Sequence, residues 1–204
     1  MAKLVGEVKG SSMSETLHLD LGCGSVPRNP YLADRVMGLD LFAAPAIGVA
    51  SANLAVESIP FDDEKFDSVS AYDFFEHIPR VSICTKTKVT TFPFIKLMNE
   101  VHRVLKLGGY LYASTPCYPH AKTFVDPTHV NPITMKTVRY FAGESPLARM
   151  YGYTGNFSVA RVVRYHPRVA YEPRRPGFIR TCQRWSELFT GAASHVLWEL
   201  QKTG

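Results

Sequence analysis

Two apolar runs in this chain each end in an acid, and the first acid is followed at once by a glycine turn. They read Leu17-His18-Leu19-Asp20-Leu21-Gly22-Cys23-Gly24 and Gly38-Leu39-Asp40-Leu41. Gly22 and Gly24 carry no Cβ and tolerate positive φ, so the backbone between them passes close beneath a ligand. An acid at the tip of the second strand accepts hydrogen bonds from two vicinal hydroxyls, which points to a ribose. Val26 and Pro27 stand where a dinucleotide fingerprint has its third glycine and opening helix. A pyrophosphate on a long helix, and with it a nicotinamide oxidoreductase, is therefore disfavoured. The expected ligand is a nucleoside with little phosphate chemistry.

A second group of reactive side chains falls between Pro116 and Pro132: Cys117, Tyr118, His120, Lys122, Asp126, Thr128, His129 and Asn131. His129 and His120 are candidate general bases, with Asp126 as orienter or base, should an acceptor hydroxyl have to lose a proton. His77, on the short helix expected after the fourth strand, is a third candidate, with a structural role the preferred reading. His120, Asp126 and His129 lack the tight spacing of a metal site, so no metal is expected. Tyr118 and Lys122 have a Tyr-x-x-x-Lys spacing, but Pro119 disfavours the helix that would set them on one face. Cys23, Cys84, Cys117 and Cys182 form no C-x-x-C pair and read as reduced thiols.

The elements that must position these groups follow from pattern. Strands are predicted at Leu17–Leu21, Val36–Leu41, Val49–Leu54, Ser68–Tyr72, Tyr110–Thr115, Asn156–Tyr165 and His195–Gln201. Phe94, Leu97, Met98, Val101, Val104 and Leu105 recur at helical spacing, and Gly108-Gly109 is expected to end that helix. Short helices are expected at Tyr31–Arg35, after Asp73, and at Thr134–Phe141 with Thr134 as N-cap, and a longer one at Gly177–Phe189. The order implies a largely parallel α/β sheet in a single domain, residues 16–204, behind a flexible leader, residues 1–15. Residues 116–155 then form a lid or acceptor region over the carboxyl edge of the sheet.

Composition narrows the class. The chain has 204 residues, 46% hydrophobic and 20% charged, enough for one sizeable core. No apolar run approaches the roughly 20 residues needed to span a bilayer, and the opening residues lack the centre of a signal peptide, so a cytoplasmic location is expected. Residues 1–100 carry 9 Lys and Arg against 13 Asp and Glu, and residues 101–204 carry 14 against 5. Seven arginines lie in the basic segment 161–184, which reads as a solvated surface or as a holder of anions. A nucleic-acid partner is not expected, since no motif for a flipped amino base and no target-recognition domain is present.

Taken together, Leu19-Asp20-Leu21-Gly22-Cys23-Gly24, Gly38-Leu39-Asp40, Ile59-Pro60-Phe61 through Phe66-Asp67, Phe75-Glu76-His77-Ile78 and the run Glu100 to Gly109 resemble the successive motifs of class I S-adenosylmethionine-dependent methyltransferases, in the methyltransferase type 11 group. Asp126-Pro127-Thr128-His129-Val130 is similar to a subgroup associated with sugars and surface polysaccharides. The resemblance implies a Rossmann-like seven-stranded sheet with helices on both faces and an antiparallel last strand. It implies S-adenosylmethionine as cofactor, with Gly22, Cys23 and Gly24 under the methionine part and Asp20 orienting its amino group through the turn. Asp40 would hold the ribose, Leu41 would pack on adenine, Asn53 and Leu54 would border the base, and Tyr72 would close the site. The function expected is methyl transfer to a small-molecule or sugar acceptor, most simply at oxygen. The alternatives are a cofactor-binding module without transfer activity and a nucleic-acid methyltransferase.

Overall fold

Alternate residues of the central strands carry opposite chemistry, and that alternation organises the molecule. The computed structural model describes residues 15–204, so the expected leader lies outside the described residues apart from Glu15. Strands β1 (Leu17–Leu21), β2 (Arg35–Asp40), β3 (Val49–Ser51) and β4 (Phe66–Tyr72) come first. A hairpin of β5 (Ser82–Cys84) and β6 (Val89–Thr91) leads to helix α1 (Pro93–Val104) and strand β7 (Leu105–Pro116). Then follow α2 (Lys122–Val125), β8 (Phe157–Tyr165), α3 (Phe178–Phe189) and β9 (His195–Lys202). The main sheet has seven strands in the order β3-β2-β1-β4-β7-β9-β8. β3, β2, β1, β4 and β7 run parallel, and β9 is antiparallel to both its neighbours.

On one face Leu19, Leu21, Val69, Ala71, Leu111, Ala113, Val196, Trp198 and Leu200 form the apolar core. Helix α1 covers it with Phe94, Leu97, Met98, Val101 and Val104, all buried. Burying each such side chain contributes about 1.5–3 kcal/mol before entropy is counted. The opposite residues of the same strands, one place along, put His18, Asp20, Ser68, Ser70, Tyr72, Tyr112 and Glu199 on the other face, because side chains alternate at period two. Tyr31 and the segment 165–187 cover that polar face: Tyr31 packs on Tyr110, Tyr112 and Tyr171, and the Tyr112 hydroxyl accepts from Glu172 N.

All seven predicted main-sheet strands form, with corrections at their ends. β3 stops at Ser51, so Asn53 and Leu54 lie in the turn beyond it. Residues 31–35 form no helix; Asn29 instead caps a turn by bonding Ala33 N and O. The segment expected to be helical at 134–141 is a 3-10 turn over Thr137–Tyr140, and Thr134 Oγ1 bonds Lys136 N and Thr137 Oγ1 rather than capping it. Gly108 and Gly109 do not end α1. The helix has already stopped at Val104, and the glycines lie inside β7, where the pairing with β4 jumps from Phe66↔Leu105 to Ser68↔Tyr110. A Cβ on Gly109 would meet Asp67 O and Lys106 O at 2.9 Å, so this bulge needs glycine.

The basic segment is partly solvated, but its arginines also serve buried acids. Arg161 and Arg174 bind the fully buried Glu199, Arg180 binds Glu172 and Glu187, and Arg168 binds Glu187, at 2.7–3.0 Å. Helix α3 turns Glu187 inward for this and leaves Phe178, Ile179, Trp185 and Phe189 exposed. Among the described residues no helix is long and apolar enough to cross a membrane.

Candidate functional site

A cavity of about 450 Å³ opens at the carboxyl ends of β1, β2 and β4. Gly22, Leu39, Asp40, Leu41, Asn53 and Leu54 line it from the segments after β1, β2 and β3, and Asp73, Phe74, His77, Ile78 and Thr128 from the turn after β4 and the loop after β7. The local chain geometry explains the placement. Gly22 has φ 63° and Asp73, just past β4, has φ 48°, a left-handed conformation that Asp tolerates better than most residues. The turn at Asp73 lays Phe74 against the glycine turn: a Cβ on Gly22 would stand 2.3 Å from the Phe74 ring.

Asp40 Oδ2 accepts from Gly24 N at 2.8 Å, which ties the acid to the turn, while Oδ1 has no partner among the described residues. Gly22, Asp40, Leu41, Asn53 and Leu54 thus meet in one cavity. Asn53 Oδ1 accepts from Ala55 N at 3.2 Å, which leaves its side-chain amide nitrogen and one Oδ1 lone pair for a ligand.

Asp20, Cys23, Gly24 and Tyr72 do not line the cavity. Asp20 is buried: Oδ2 accepts from Arg28 N at 2.8 Å and Oδ1 from Ser70 Oγ at 2.5 Å, and it fixes the loop behind the glycine turn. Burial pushes its carboxyl up to about 6. Ser70 Oγ, having given its proton to Asp20, accepts from His18 Nε2 at 2.8 Å, and Ser68 Oγ then donates to His18 Nδ1 at 2.7 Å. Burial holds the His18 imidazole down near 4, so the ring is neutral within this chain of bonds. Cys23 Sγ packs where a Gly38 Cβ would stand, and burial raises its thiol to about 11, the charges of Asp20 and Asp40 adding to the effect. Tyr72 is the clear correction. As an even-numbered residue of β4 it shares the face of Ser68 and Ser70, where it stacks near Tyr112, lies under Arg28 at 4.5 Å and bonds Ala170 O.

The three loop candidates separate. His120 is turned away: its Nδ1 accepts from Lys122 N at 3.1 Å, and burial with the cations Lys122 and Arg164 lowers its pKa. Asp126 Oδ1 accepts from Thr128 N and Oγ1 at 2.8 and 2.6 Å, bonds that hold its carboxyl below the usual range. His129 stands behind the cavity wall, its ring 4.8 Å from that of His77 and its Nε2 4.0 Å from Glu76 Oε1 and Asp126 Oδ2. Asp73 and Glu76, which no sequence reading singled out as candidates, and His77, read there as structural before catalytic, stand at or beside the cavity. The Phe75-Glu76-His77-Ile78 motif held the signal, since it brings a buried carboxylate and an imidazole together after β4. Burial pushes the Glu76 carboxyl up to about 7. Asp73 Oδ1 accepts from His195 Nε2 at 2.9 Å, and Ser194 Oγ bonds His195 Nδ1 at 2.8 Å, so a β9 residue orients the acid in the cavity. A second, apolar cavity between α1 and the 3-10 turn at Thr137–Tyr140, about 290 Å³ and lined by Phe92, Phe94, Tyr140 and Tyr151, holds no comparable chemistry.

Residues 19–113 match the family model described as a methyltransferase domain. That model is general and does not narrow the chain to the sugar-associated subgroup. Among curated proteins no sequence matches. Solved structures with the same fold include a chain of the complex between the Haloferax volcanii Trm112 methyltransferase activator and a methyltransferase, at 15% identity and TM-score 0.56 over 93% of this chain and 84% of that one. A SAM-dependent methyltransferase from Archaeoglobus fulgidus matches at 14% identity and TM-score 0.54 over 93% and 87%. One from Mesorhizobium loti matches at 17% and 0.51 over 90% and 89%. At such identities the likeness is one of fold.

Proposed function

We propose, from the premise that residues 19–113 are a methyltransferase domain whose cofactor is S-adenosylmethionine, that this chain methylates a hydroxyl of a small acceptor, sugars included, beside Asp73 in the cavity. The observation that carries the reading is the cavity itself, which joins an acid suited to a ribose, Asp40, to an acid suited to a hydroxyl proton, Asp73. The residues fit the cofactor: Gly22 and Gly24 keep the turn low, Asp40 Oδ1 is open to ribose hydroxyls, and Leu41 and Leu54 offer apolar surface to a base.

When bound, the cofactor supplies a methyl group already activated on sulfur. The protein's part is position. Phe74 and Ile78 wall the cavity, and holding an acceptor there at near-attack distance accounts for roughly 7–11 kcal/mol of barrier lowering. Asp73 takes the hydroxyl proton through Oδ2 while His195 holds Oδ1.

Calorimetric titration with S-adenosylhomocysteine, with NAD as control, tests the reading. Asp40→Ala is expected to weaken binding of the first by about 1–3 kcal/mol, through loss of charge-assisted hydrogen bonds. Asp73→Asn should keep that affinity and lose turnover against hydroxylated acceptors. Binding of NAD alone would overturn the cofactor assignment, and full turnover by Asp73→Asn would remove Asp73 as proton acceptor.

A further inference from the structure

Hydrogen bonds fix the tautomers of both histidines beside the cavity. His129 Nδ1 faces Thr123 O at 3.2 Å, and a carbonyl only accepts, so Nδ1 carries the proton and Nε2 of the neutral ring is a lone pair. That lone pair faces Glu76 Oε1 and Asp126 Oδ2, each 4.0 Å away. Thr128 Oγ1 gives its proton to Asp126 Oδ1 at 2.6 Å, so toward His77 Nδ1, at 2.9 Å, it accepts. His77 therefore also keeps its proton on Nδ1 and has a free Nε2.

With Glu76 ionised, three acceptors converge without a donor among them. Glu76 has 1% of its surface exposed, and while Oε2 accepts from Thr115 Oγ1 at 2.8 Å, Oε1 is buried with no hydrogen-bond partner. A buried carboxylate oxygen left unpaired is costly, and a facing imidazole lone pair makes it more so. One ligand atom from each of Glu76, His77 and His129 lies within 4.8 Å of the others. Ligands about 2.1 Å from a shared tetrahedral ion stand about 3.4 Å apart, so small rotations of the side chains close the set.

We propose that Glu76, His77 and His129 bind a divalent first-row transition-metal ion beside the cavity. Two imidazoles and one carboxylate suit such an ion better than magnesium or calcium, which prefer all-oxygen sets. The supporting bonds also fit, since imidazoles that hold metal donate their second N–H to a carbonyl or hydroxyl, as His129 does to Thr123 and His77 to Thr128. His77 and Thr128 line the cavity, so the ion's open position faces the acceptor. Its role, polarising the acceptor hydroxyl before Asp73 takes the proton, rests on the methyl-transfer reading; the ion site itself does not.

The test is titration of the chelator-treated full chain with cobalt(II) chloride alone, read by visible absorption, followed by displacement with zinc chloride. One ion per chain and a saturable visible band are expected. Glu76→Gln and His129→Ala should each weaken cobalt binding by roughly tenfold or more, while Cys84→Ser and Cys182→Ser, at the two exposed thiols, leave it unchanged. S-adenosylhomocysteine binding, measured in the same variants, should persist. If Glu76→Gln fails to fold, Thr128→Val provides the comparison by removing the hydroxyl that orients His77 and also bonds Asp126, a residue outside the proposed ligand set. Absence of a saturable band, or equal affinity in wild type and variants, overturns the site. Loss of S-adenosylhomocysteine binding in the wild type would instead overturn the cofactor reading and leave the ion site standing.

Discussion

His18 and Asp20 sit two residues apart on one buried edge of β1, joined through Ser70, and burial moves them in opposite directions. The His18 pKa falls from 6.5 to about 4. The unfolded chain therefore binds its proton first as pH drops, so the stability from neutral His18 is complete above pH 6.5 and lost on the way down to about 4. The displacement corresponds to roughly 3 kcal/mol. The Asp20 pKa rises from 3.8 to about 6. Here the folded chain keeps the proton longer, so its contribution is complete below pH 3.8 and lost as pH rises to about 6. Across the shared window the two slopes oppose each other, and the Glu76 carboxyl, raised by burial from 4.5 to about 7, adds a slope of the same sign as that of Asp20. In His18→Gln the opposing slope is gone, so urea midpoints should fall more steeply with rising pH between 4 and 6 than in the wild type; identical profiles would mean that folding does not lower the His18 pKa.

At the scale of elements, the glycine turn after β1 is held from two sides, by its own positive φ at Gly22 and by Phe74 lying on it. Gly22→Ala is therefore expected to lower stability by about 1–2 kcal/mol for the left-handed backbone alone, and to weaken S-adenosylhomocysteine binding by displacing Phe74; melting temperature and calorimetry read the two effects separately. This turn was legible in the sequence, because an apolar run, an acid and two glycines are local signals, and so were β1 and, to within one residue at each end, β2. What was not legible is long-range. That Tyr72 faces away from the cavity follows from which neighbour of β4 carries the polar partners, and those partners, His18 and Asp20, lie 50 or more residues back. Gly108-Gly109 read as a helix stop because the bulge it serves appears only when β7 is laid against β4. His77 and His129 read as unrelated, although their rings lie 4.8 Å apart once the loop after β7 folds over the end of β4.

For the whole molecule, the polar face of the sheet is closed by charge rather than by a crossover helix. Glu199 on β9 receives Arg161, Arg174 and the Tyr31 hydroxyl, and so joins the edge strand, the C-terminal segment and the loop after β1. Removing the charge while keeping the shape leaves two guanidinium groups without their counterion. Glu199→Gln should destabilise the fold by about 3–5 kcal/mol in urea unfolding, with weak dependence on salt because Glu199 is fully buried. Four of the arginines of segment 161–184 thus serve as counterions to buried carboxylates while staying partly open to solvent.

The same architecture divides the chain's two tryptophans. Trp198 on β9 is sealed between Phe75 and Phe141, whereas Trp185 on α3 stands 60% exposed beside Phe189. Native fluorescence is thus the sum of one blue-shifted and one red-shifted emitter, and only the first moves to longer wavelength when the core opens. In Trp185→Phe the remaining indole becomes an optical reporter of the sheet alone.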